Sequence, residues 1–150
     1  MNGLPHVIIY TDGACDPNPG PGGWAALLRF KDREKILTGS DADTTNNRME
    51  LTAAIEALKA LKQPCHVDFY TDSNYLKLGI TEWIPTWRKR NWHRKGGKLA
   101  NVDLWKALDE IIQRHEINWH WVRGHADDRD NQRVDRLARE AIPGFSQNSL

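Results

Sequence analysis

The spacing of apolar residues changes along the chain from a strand pattern to a helix pattern and back to a strand pattern. Of all the features of the sequence, this strand–helix–strand order restricts the possible folds most. Runs 7–11 and 67–71 are rich in β-branched and aromatic residues, as is typical of strands. Between them, one helical face is marked by Leu51, Ala54, Ile55, Leu58 and Leu61. A strand, a helix and a second strand in this order predict two parallel neighbouring strands joined by a helical crossover.

The remaining segments extend this pattern. Residues 24–30 and 35–40 flank a polar turn at 31–34, which predicts a hairpin and an antiparallel meander of three strands. Asp12-Gly13 is a turn signal expected to end the first strand, and the Pro- and Gly-rich segment 17–23 is not expected to form regular structure.

Helices and one more strand follow the second parallel strand. Asp72-Ser73-Asn74 is expected to cap a short helix, and Pro85 and Gly96-Gly97 are expected to interrupt the stretch that follows it. Residues 104–112 predict an amphipathic helix capped by Asn101, 117–121 a strand and 134–142 a last helix. This order predicts an α/β fold with a mixed five-stranded sheet, three antiparallel strands and then parallel strands, flanked by helices.

Length and composition limit the class of protein. The 150 residues suit one domain, with a core at about 7–142 and a flexible tail at 143–150. A net charge of +1 excludes a wholly basic nucleic-acid binder. Two cysteines form no disulfide framework, and neither a leader nor a long apolar run is present. We therefore expect a soluble cytoplasmic monomer that does not associate with membranes.

Four acidic residues are expected to meet at one rim of the sheet. Asp12 and Asp72 follow the two predicted parallel strands, whose carboxyl ends share one edge. Glu50 lies in the first turn of the crossover helix, and Asp135 near the start of the last helix, each at the edge of an apolar stripe. Crowded carboxylates repel one another unless cations neutralise them, and oxygen ligands suit Mg²⁺ or Mn²⁺.

Each acid also has a structural interpretation. Asp12 before Gly13 could form an Asx turn, and Asp72 could cap a helix. Glu50 could complete a capping box with Asn47, and Asp135 could be one solvated acid among many. Singly, each structural interpretation is favoured, whereas the four acids together favour a site.

Several separate motifs then resemble the bacterial ribonuclease HI family, over about Val7 to Ala141. They are Tyr-Thr-Asp12-Gly-Ala-Cys, Asn18-Pro-Gly-Pro-Gly-Gly, Thr-Thr45-Asn46-Asn47-Arg48-Met49-Glu50-Leu, Thr-Asp72-Ser, Val-Arg-Gly-His125-Ala, Asn131 and Asp135. The resemblance implies the ribonuclease H-like fold and a metal-dependent endonuclease that cuts the RNA strand of RNA–DNA hybrids. It also implies two Mg²⁺ ions, with Mn²⁺ as a substitute, and the catalytic residues Asp12, Glu50, Asp72, His125 and Asp135, of which the four carboxylates bind metal.

His125 follows Gly124 in a segment expected to be a flexible loop after a strand. A histidine titrates near neutrality and suits proton movement. The resemblance implies a role in proton transfer or product release, and the alternative is an exposed loop histidine without a role.

A basic segment without acids lies between Trp83 and Val102. Its cations are Arg88, Lys89, Arg90, Arg94, Lys95 and Lys98, interleaved with Trp83, Trp87 and Trp92. Such a run is usually a solvated face, but cations with aromatic rings favour nucleic-acid binding. The resemblance implies that this segment holds the DNA strand, with Trp83, Trp87 and Tyr75 against deoxyriboses.

Discrimination of RNA from DNA requires contacts to the 2′-hydroxyl. The resemblance assigns these contacts to Asn18, Asn46, Asn47 and Glu50, and assigns a DNA phosphate pocket to Thr45 and Asn101. Asn46 or Asn47 could instead cap the helix. Two positions depart from the family pattern. Asp43 stands where many relatives have a basic residue, and Asn74 replaces a frequent glutamine in a further nucleic-acid contact.

The resulting hypothesis is two-metal hydrolysis. One ion, held by Asp12, Asp72 and Asp135, would activate a water, and the other, held by Asp12 and Glu50, would stabilise the leaving 3′ oxygen. Products would carry 5′-phosphate and 3′-hydroxyl ends. Three alternatives remain: a non-catalytic hybrid-binding module, a DNA-directed nuclease of the same superfamily, and a structural protein with a coincidental acid cluster.

Overall fold

The protein is described by a computed structural model over residues 3–92, 100–123 and 128–145. Its strands are β1 (His6–Cys15), β2 (Gly20–Phe30), β3 (Arg33–Thr44), β4 (His66–Thr71) and β5 (Glu116–Trp121). Its helices are α1 (Asn46–Lys59), α2 (Asn74–Leu78), α3 (Ile84–Lys89), α4 (Val102–Ile112) and α5 (Arg129–Glu140), and a π-helical turn at Gly79–Trp83 joins α2 to α3.

The strands form one sheet in the order β3-β2-β1-β4-β5. β2 pairs antiparallel with both β1 and β3, whereas β4 pairs parallel with both β1 and β5. The predicted mixed sheet of three antiparallel strands followed by parallel strands is therefore confirmed. Helix α1 is the crossover that makes β1 and β4 parallel neighbours.

The first hairpin is longer than predicted. β1 continues through Asp12 and Gly13, which pair with Ala25 and Trp24 of β2, and β2 begins already at Gly20. The expected turn at Asp12-Gly13 and the expected irregular structure up to residue 23 were wrong. Ladder hydrogen bonds to a neighbouring strand outweigh the local turn preference of Asp-Gly.

The helical segment after β4 also differs from the prediction. Residues 74–89 stay helical throughout, and Pro85 does not interrupt them, because it lies in the first turn of α3. A proline is tolerated there, since its missing N–H is not needed for an intrahelical hydrogen bond.

Two apolar layers enclose the sheet. On one face, α1 and α4 bury Ile9 and Phe69 under Leu51, Leu58 and Trp105. On the other face, Val134 and Ala138 of α5 pack against Ala25 and Leu27 of β2. The sheet is thereby sandwiched between helices, and the carboxyl ends of β1 and β4 open at one edge. None of the helices in the described part of the chain has the length and apolar character needed to cross a lipid bilayer.

The two cysteines are free thiols. Cys15 ends β1, whereas Cys65 directly precedes β4. Because β1 and β4 are parallel, the two residues lie at opposite ends of the neighbouring strands.

Candidate active site

Three acidic side chains meet at the carboxyl edge of β1 and β4. Carboxylate oxygens of Asp12, Glu50 and Asp72 all lie within 4.8 Å of one another. Asp12 and Glu50 are buried, at 5% exposure each, while Asp72 is exposed. The structure thus brings together three of the four acids expected at this rim and leaves one side of the cluster open to solvent.

Glu50 reaches the cluster because α1 lies unusually close to β1. A Cβ added to Gly13 would lie 2.5 Å from the backbone nitrogen of Glu50. Only glycine permits this approach. Glu50 is the fifth residue of α1 and so lies in its second turn, not in the first as predicted.

The structural alternatives for these three acids do not match the geometry. Thr45, not Asn47, caps α1 by accepting a hydrogen bond from the backbone N–H of Arg48, so Glu50 completes no capping box. Ser73 caps α2, which leaves Asp72 free of that role. Asp12 accepts a hydrogen bond from the Gly13 N–H at 2.9 Å, but within the β1 ladder and not in a turn.

Helix α5 brings Asp135 to the edge of the cluster. The close approach of α5 to β2 depends on Gly23, because a Cβ there would collide with the Ala138 carbonyl oxygen. Asp135 is half-exposed and accepts a hydrogen bond from Arg139 at 2.8 Å. Its carboxylate helps to raise the pKa of both Asp12 and Asp72.

Burial and mutual repulsion raise the pKa values of the cluster. Burial, together with the charge of Asp72, raises the pKa of Asp12 to about 7. Burial and the neighbouring Asp12 raise the pKa of Glu50 well above its ordinary value. Partial loss of solvent around the Asp72 carboxyl, whose residue is otherwise exposed, raises the pKa of Asp72 together with the charge of Asp135. A cation bound among these carboxylates would favour their ionised forms and offset the repulsion.

The donor set fits a hard divalent cation. It consists of oxygen atoms only, and among the described residues Glu50 Oε2 is buried without a hydrogen-bond partner. A buried carboxylate oxygen without a partner is unfavourable unless a ligand satisfies it. Mg²⁺ and Mn²⁺ prefer such oxygen ligands.

Asn131 belongs to this site, although sequence reasoning assigned it no role. Asn131 is 3% exposed, and its Nδ2 donates a hydrogen bond to Asp72 Oδ2 at 3.5 Å. Its Oδ1 has no partner within the described part of the chain. Asn131 precedes Asp135 by four residues, so both lie on one face of α5, and this spacing was the available signal.

Four of the predicted functional residues lie outside the described ranges. They are His125, Arg94, Lys95 and Lys98.

The residues predicted to read the RNA strand gather at the start of α1. Asn18 Oδ1 accepts a hydrogen bond from the backbone N–H of Asn46 at 3.0 Å. Asn47 is exposed in the first turn. Because Thr45 is the cap, the amide side chains of Asn46 and Asn47 are not used for capping.

Arg48 links the two residues of the predicted phosphate pocket. Its backbone N–H bonds to Thr45 Oγ1 at 3.2 Å, and its Nη1 donates to Asn101 Oδ1 at 3.2 Å. It also forms an ion pair with Asp103 at 2.9 Å. Asn101 precedes α4 with φ at 58°, and its side chain does not cap the helix as predicted, because its Nδ2 donates to the Tyr75 hydroxyl.

The predicted DNA-binding aromatic residues form part of an indole cluster. Trp83 and Trp87 are half-buried, with ring centroids 5.8 Å apart, and both pack on the fully buried Trp105. Trp92 lies 5.9 Å from Trp87. The Tyr75 hydroxyl accepts a hydrogen bond from Trp105 Nε1 at 3.1 Å. These side chains therefore stabilise the α2–α3 segment whether or not they contact a ligand.

The cations of this segment differ in their partners. The Arg88 guanidinium is bound by the Asp109 carboxylate of α4 and anchors α3. Lys89 and Arg90 are exposed at the end of α3. Asn74, at the start of α2, is exposed in a polar cleft of about 500 Å³ that also includes Asp72, Lys77 and Arg123.

Comparison with known proteins agrees with this architecture. The family model described as RNase H matches residues 5–143. Ribonuclease H of Chelativorans sp. (strain BNC1) is 56% identical over 145 residues, covering 96% of this chain and 90% of that protein. Ribonuclease H of Rhodopseudomonas palustris (strain BisB5) is 57% identical over 137 residues, covering 91% of each.

Solved structures show the same fold. LC9-RNase H1, described as a type 1 RNase H with the type 2 active-site motif, superposes with a TM-score of 0.87 at 33% identity, covering 99% of this chain and 77% of that one. LC11-RNase H1 in complex with RNA/DNA hybrid superposes with a TM-score of 0.65 at 22% identity, covering 91% and 96%. The chain therefore belongs to the RNase H family of nucleases.

Proposed function

We propose that this protein is an endoribonuclease that hydrolyses the RNA strand of RNA–DNA hybrids. The observation that carries the proposal is the carboxylate cluster of Asp12, Glu50 and Asp72, which is buried on one side and open to solvent on the other, with one Glu50 oxygen lacking a partner in the described structure. Membership of the RNase H family and the solved hybrid complex of LC11-RNase H1 support this substrate class.

Asp12, Glu50, Asp72 and Asp135 are the residues that would hold two Mg²⁺ ions, or Mn²⁺ in their place. When bound, such ions supply activation of the attacking water and stabilisation of the leaving 3′ oxygen, which gives 5′-phosphate and 3′-hydroxyl ends. Asp12 interacts with Glu50, Asp72 and Asp135. In this proposal it is a ligand of both ions, together with Asp72 and Asp135 for one and with Glu50 for the other.

Neighbouring side chains position the acids. Asn131 orients Asp72 through its amide, and Arg139 holds the Asp135 carboxylate at 2.8 Å. His125 is proposed to move a proton during the reaction or to assist product release. Carboxylates fixed in this way need little reorganisation when the reaction begins.

Hybrid recognition is proposed to use both sides of α1. Asn18, Asn46, Asn47 and Glu50 would meet the RNA 2′-hydroxyls, because amides both donate and accept hydrogen bonds. The DNA strand would contact the other group, which comprises Thr45, Asn74, Tyr75, Trp83, Trp87, Arg88, Lys89, Arg90 and Asn101. Arg48 provides a cation beside Thr45 and Asn101.

The test is cleavage of end-labelled RNA–DNA, RNA–RNA and DNA–DNA duplexes, with Mg²⁺ and with chelator. We expect metal-dependent cutting of the RNA strand in the hybrid alone. Asp12→Asn should abolish cutting, while Asp32→Asn in the exposed β2–β3 turn serves as the matched control. Cutting of duplex DNA would indicate a DNA-directed nuclease, and folded protein that binds hybrid without cutting it would indicate a binding module.

A single-domain monomer that acts in the cytoplasm remains our expectation. Sedimentation velocity tests the oligomeric state, and cell fractionation tests the location. A sedimentation coefficient that matches a dimer would contradict the monomer. Recovery of the protein from a membrane fraction would contradict the cytoplasmic location.

A further inference from the structure

One sheet face carries a histidine-rich patch away from the carboxylate cluster. The patch belongs to β1, β4 and β5, whereas α5 packs on β1 and β2. Strand pairing arranges its side chains in three rows across the strands: His6, His66 and Glu116; Ile8, Asp68 and Asn118; Tyr10, Tyr70 and His120. Three imidazoles and two carboxylates therefore share one face of a rigid sheet.

Asp68 is the centre of this patch. Its Oδ2 lies 2.5 Å from His6 Nε2 and its Oδ1 lies 2.8 Å from His120 Nε2. A carboxylate beside imidazole nitrogens brings together the oxygen and nitrogen donors that bind Zn²⁺ in proteins. Here the same carboxylate contacts one imidazole from each of the two neighbouring strands.

His66 lies beside His6 in the first row, with ring centroids 5.7 Å apart. Its present contacts are weak and exposed: Nδ1 lies 3.4 Å from Glu116 Oε2, and Nε2 accepts from Asn118 at 3.3 Å. Two imidazoles bound to one ion at about 2.0–2.1 Å each have ring centres roughly 5–6 Å apart. The backbone spacing of His6 and His66 therefore suits a shared ion.

We propose that His6, His66 and Asp68 form a second cation site that binds Zn²⁺ or a similar nitrogen-preferring divalent ion. Imidazole nitrogens with one carboxylate favour this class of metal, whereas the oxygen-only cluster at the other site favours Mg²⁺. His6 has 53% and His66 36% of its side chain exposed, so an ion reaches both from solvent.

Binding requires two side-chain adjustments. His66 must turn its imidazole away from Glu116 and Asn118 toward His6. His6 Nε2 and Asp68 Oδ2, now 2.5 Å apart, must separate to roughly 3 Å, because an ion held at about 2.0–2.1 Å from each donor lies between them. The ladder hydrogen bonds keep the backbones of both histidines in place during these movements. Each coordinating nitrogen offers a lone pair, and any proton on it is released to solvent.

The two sites are separate along the sheet. His6 lies six residues before Asp12 on β1, which at about 3.3 Å per residue places them roughly 20 Å apart. Occupancy of the histidine site therefore contributes no ligand to the carboxylate cluster, and the inference does not depend on the proposed function.

The test is a calorimetric titration of the whole chain with Zn²⁺, in excess Mg²⁺ to occupy the carboxylate cluster. We expect one Zn²⁺ per chain, and affinity about tenfold or more lower in His6→Gln, His66→Gln and Asp68→Asn. His115→Gln is the matched control, because the imidazole of His115 accepts from the Cys65 N–H away from this face. Hybrid cleavage should be unchanged in all four variants.

Amide NMR spectra locate the ion. Zn²⁺ should shift the amide signals around His6, His66 and Asp68 in the wild type. If Asp68→Asn fails to fold, His66→Gln still decides the question, because it leaves both Asp68 contacts in place. The proposal is overturned if Zn²⁺ produces no heat, if the variants bind it as the wild type does, or if the shifts map to Asp12 and Glu50.

Discussion

Two acids on strand β4 and just beyond it face opposite electrostatic surroundings. Asp68 contacts His120 and His6, and these bonds lower its pKa to about 2. Asp72, four residues later, lies among other carboxylates, and partial loss of solvent around its carboxyl together with the charge of Asp135 raises its pKa. Asp68 lies within β4 and Asp72 directly follows it, so the neighbouring elements decide the difference. The carboxylate that is paired with imidazoles is stabilised in its ionised form by its protein neighbours, whereas the carboxylates that are crowded need a bound cation to ionise together.

The largest expected effect concerns the crowded acids. Asp12→Asn should lower hybrid cleavage by about a thousandfold or more, since stabilisation of several kcal/mol depends on this ligand. Single-turnover cleavage with hybrid in Mg²⁺ measures the change, and circular dichroism checks folding. Retention of more than a tenth of the activity would contradict the role of the cluster.

The pH dependence of the free energy of unfolding, measured in chelator, distinguishes the surroundings of the crowded acids from those of Asp68. The pKa of Asp12 is raised from its ordinary value of 3.8 to about 7, so its protonated form favours the folded state. This contribution is fully present below pH 3.8 and is lost as pH rises through about 7. We expect the free energy of unfolding to fall by about 2–4 kcal/mol between pH 5 and pH 8.

Urea unfolding at several pH values measures this dependence. Asp12→Asn should flatten the slope and be more stable than the wild type at pH 8 without metal, because the buried charge is gone. Saturating Mg²⁺ should reduce the slope in the wild type. Stability that rises from pH 5 to pH 8 in chelator would contradict this interpretation of the cluster.

A smaller effect on cleavage is expected when Asp72 loses Asn131, the residue that positions it. Asn131→Ala should lower the apparent Mg²⁺ affinity or the cleavage rate by about 10–100-fold, since Asp72 loses its amide donor. A Mg²⁺ titration of the rate measures both quantities, and Asn131→Gln tests whether an amide on a longer side chain restores them. A lower rate with unchanged Mg²⁺ dependence in every variant would argue against positioning of Asp72.

The smallest effect is expected at Asp68, the acid paired with imidazoles, where loss of the charge lowers the free energy of unfolding instead of raising it. Asp68→Asn should lower the free energy of unfolding at pH 7 by about 1 kcal/mol or less, because its histidine contacts are partly exposed and screened. The pKa of Asp68 is lowered to about 2, so this stability is present above pH 3.8 and lost as pH falls through about 2. Equal stability of variant and wild type at pH 7 would remove the distinction between the two acids.

The sheet and the meeting of Asp12 with Asp72 could be predicted because parallel neighbours share one carboxyl edge, and the β-branched and aromatic runs with a helix between them identified those strands. Local signals failed where tertiary contacts decide. The Asp12-Gly13 turn signal lost to the β2 ladder, and Asn101 bonds to Tyr75 instead of capping α4. The closeness of α1 to Gly13 and the link from Arg48 to Asn101 depend on residues distant in the chain. No local pattern encodes such distances.

The indole cluster has an optical consequence. Trp83, Trp87, Trp92 and Trp105 form a chain in which neighbouring ring centroids are at most 6.2 Å apart. At such separations, the excitation energy of one indole transfers readily to the next before fluorescence is emitted. A nucleobase that quenches the outermost ring would lower the emission of the whole group, so the fluorescence of the unlabelled chain would report the arrival of a nucleic-acid ligand.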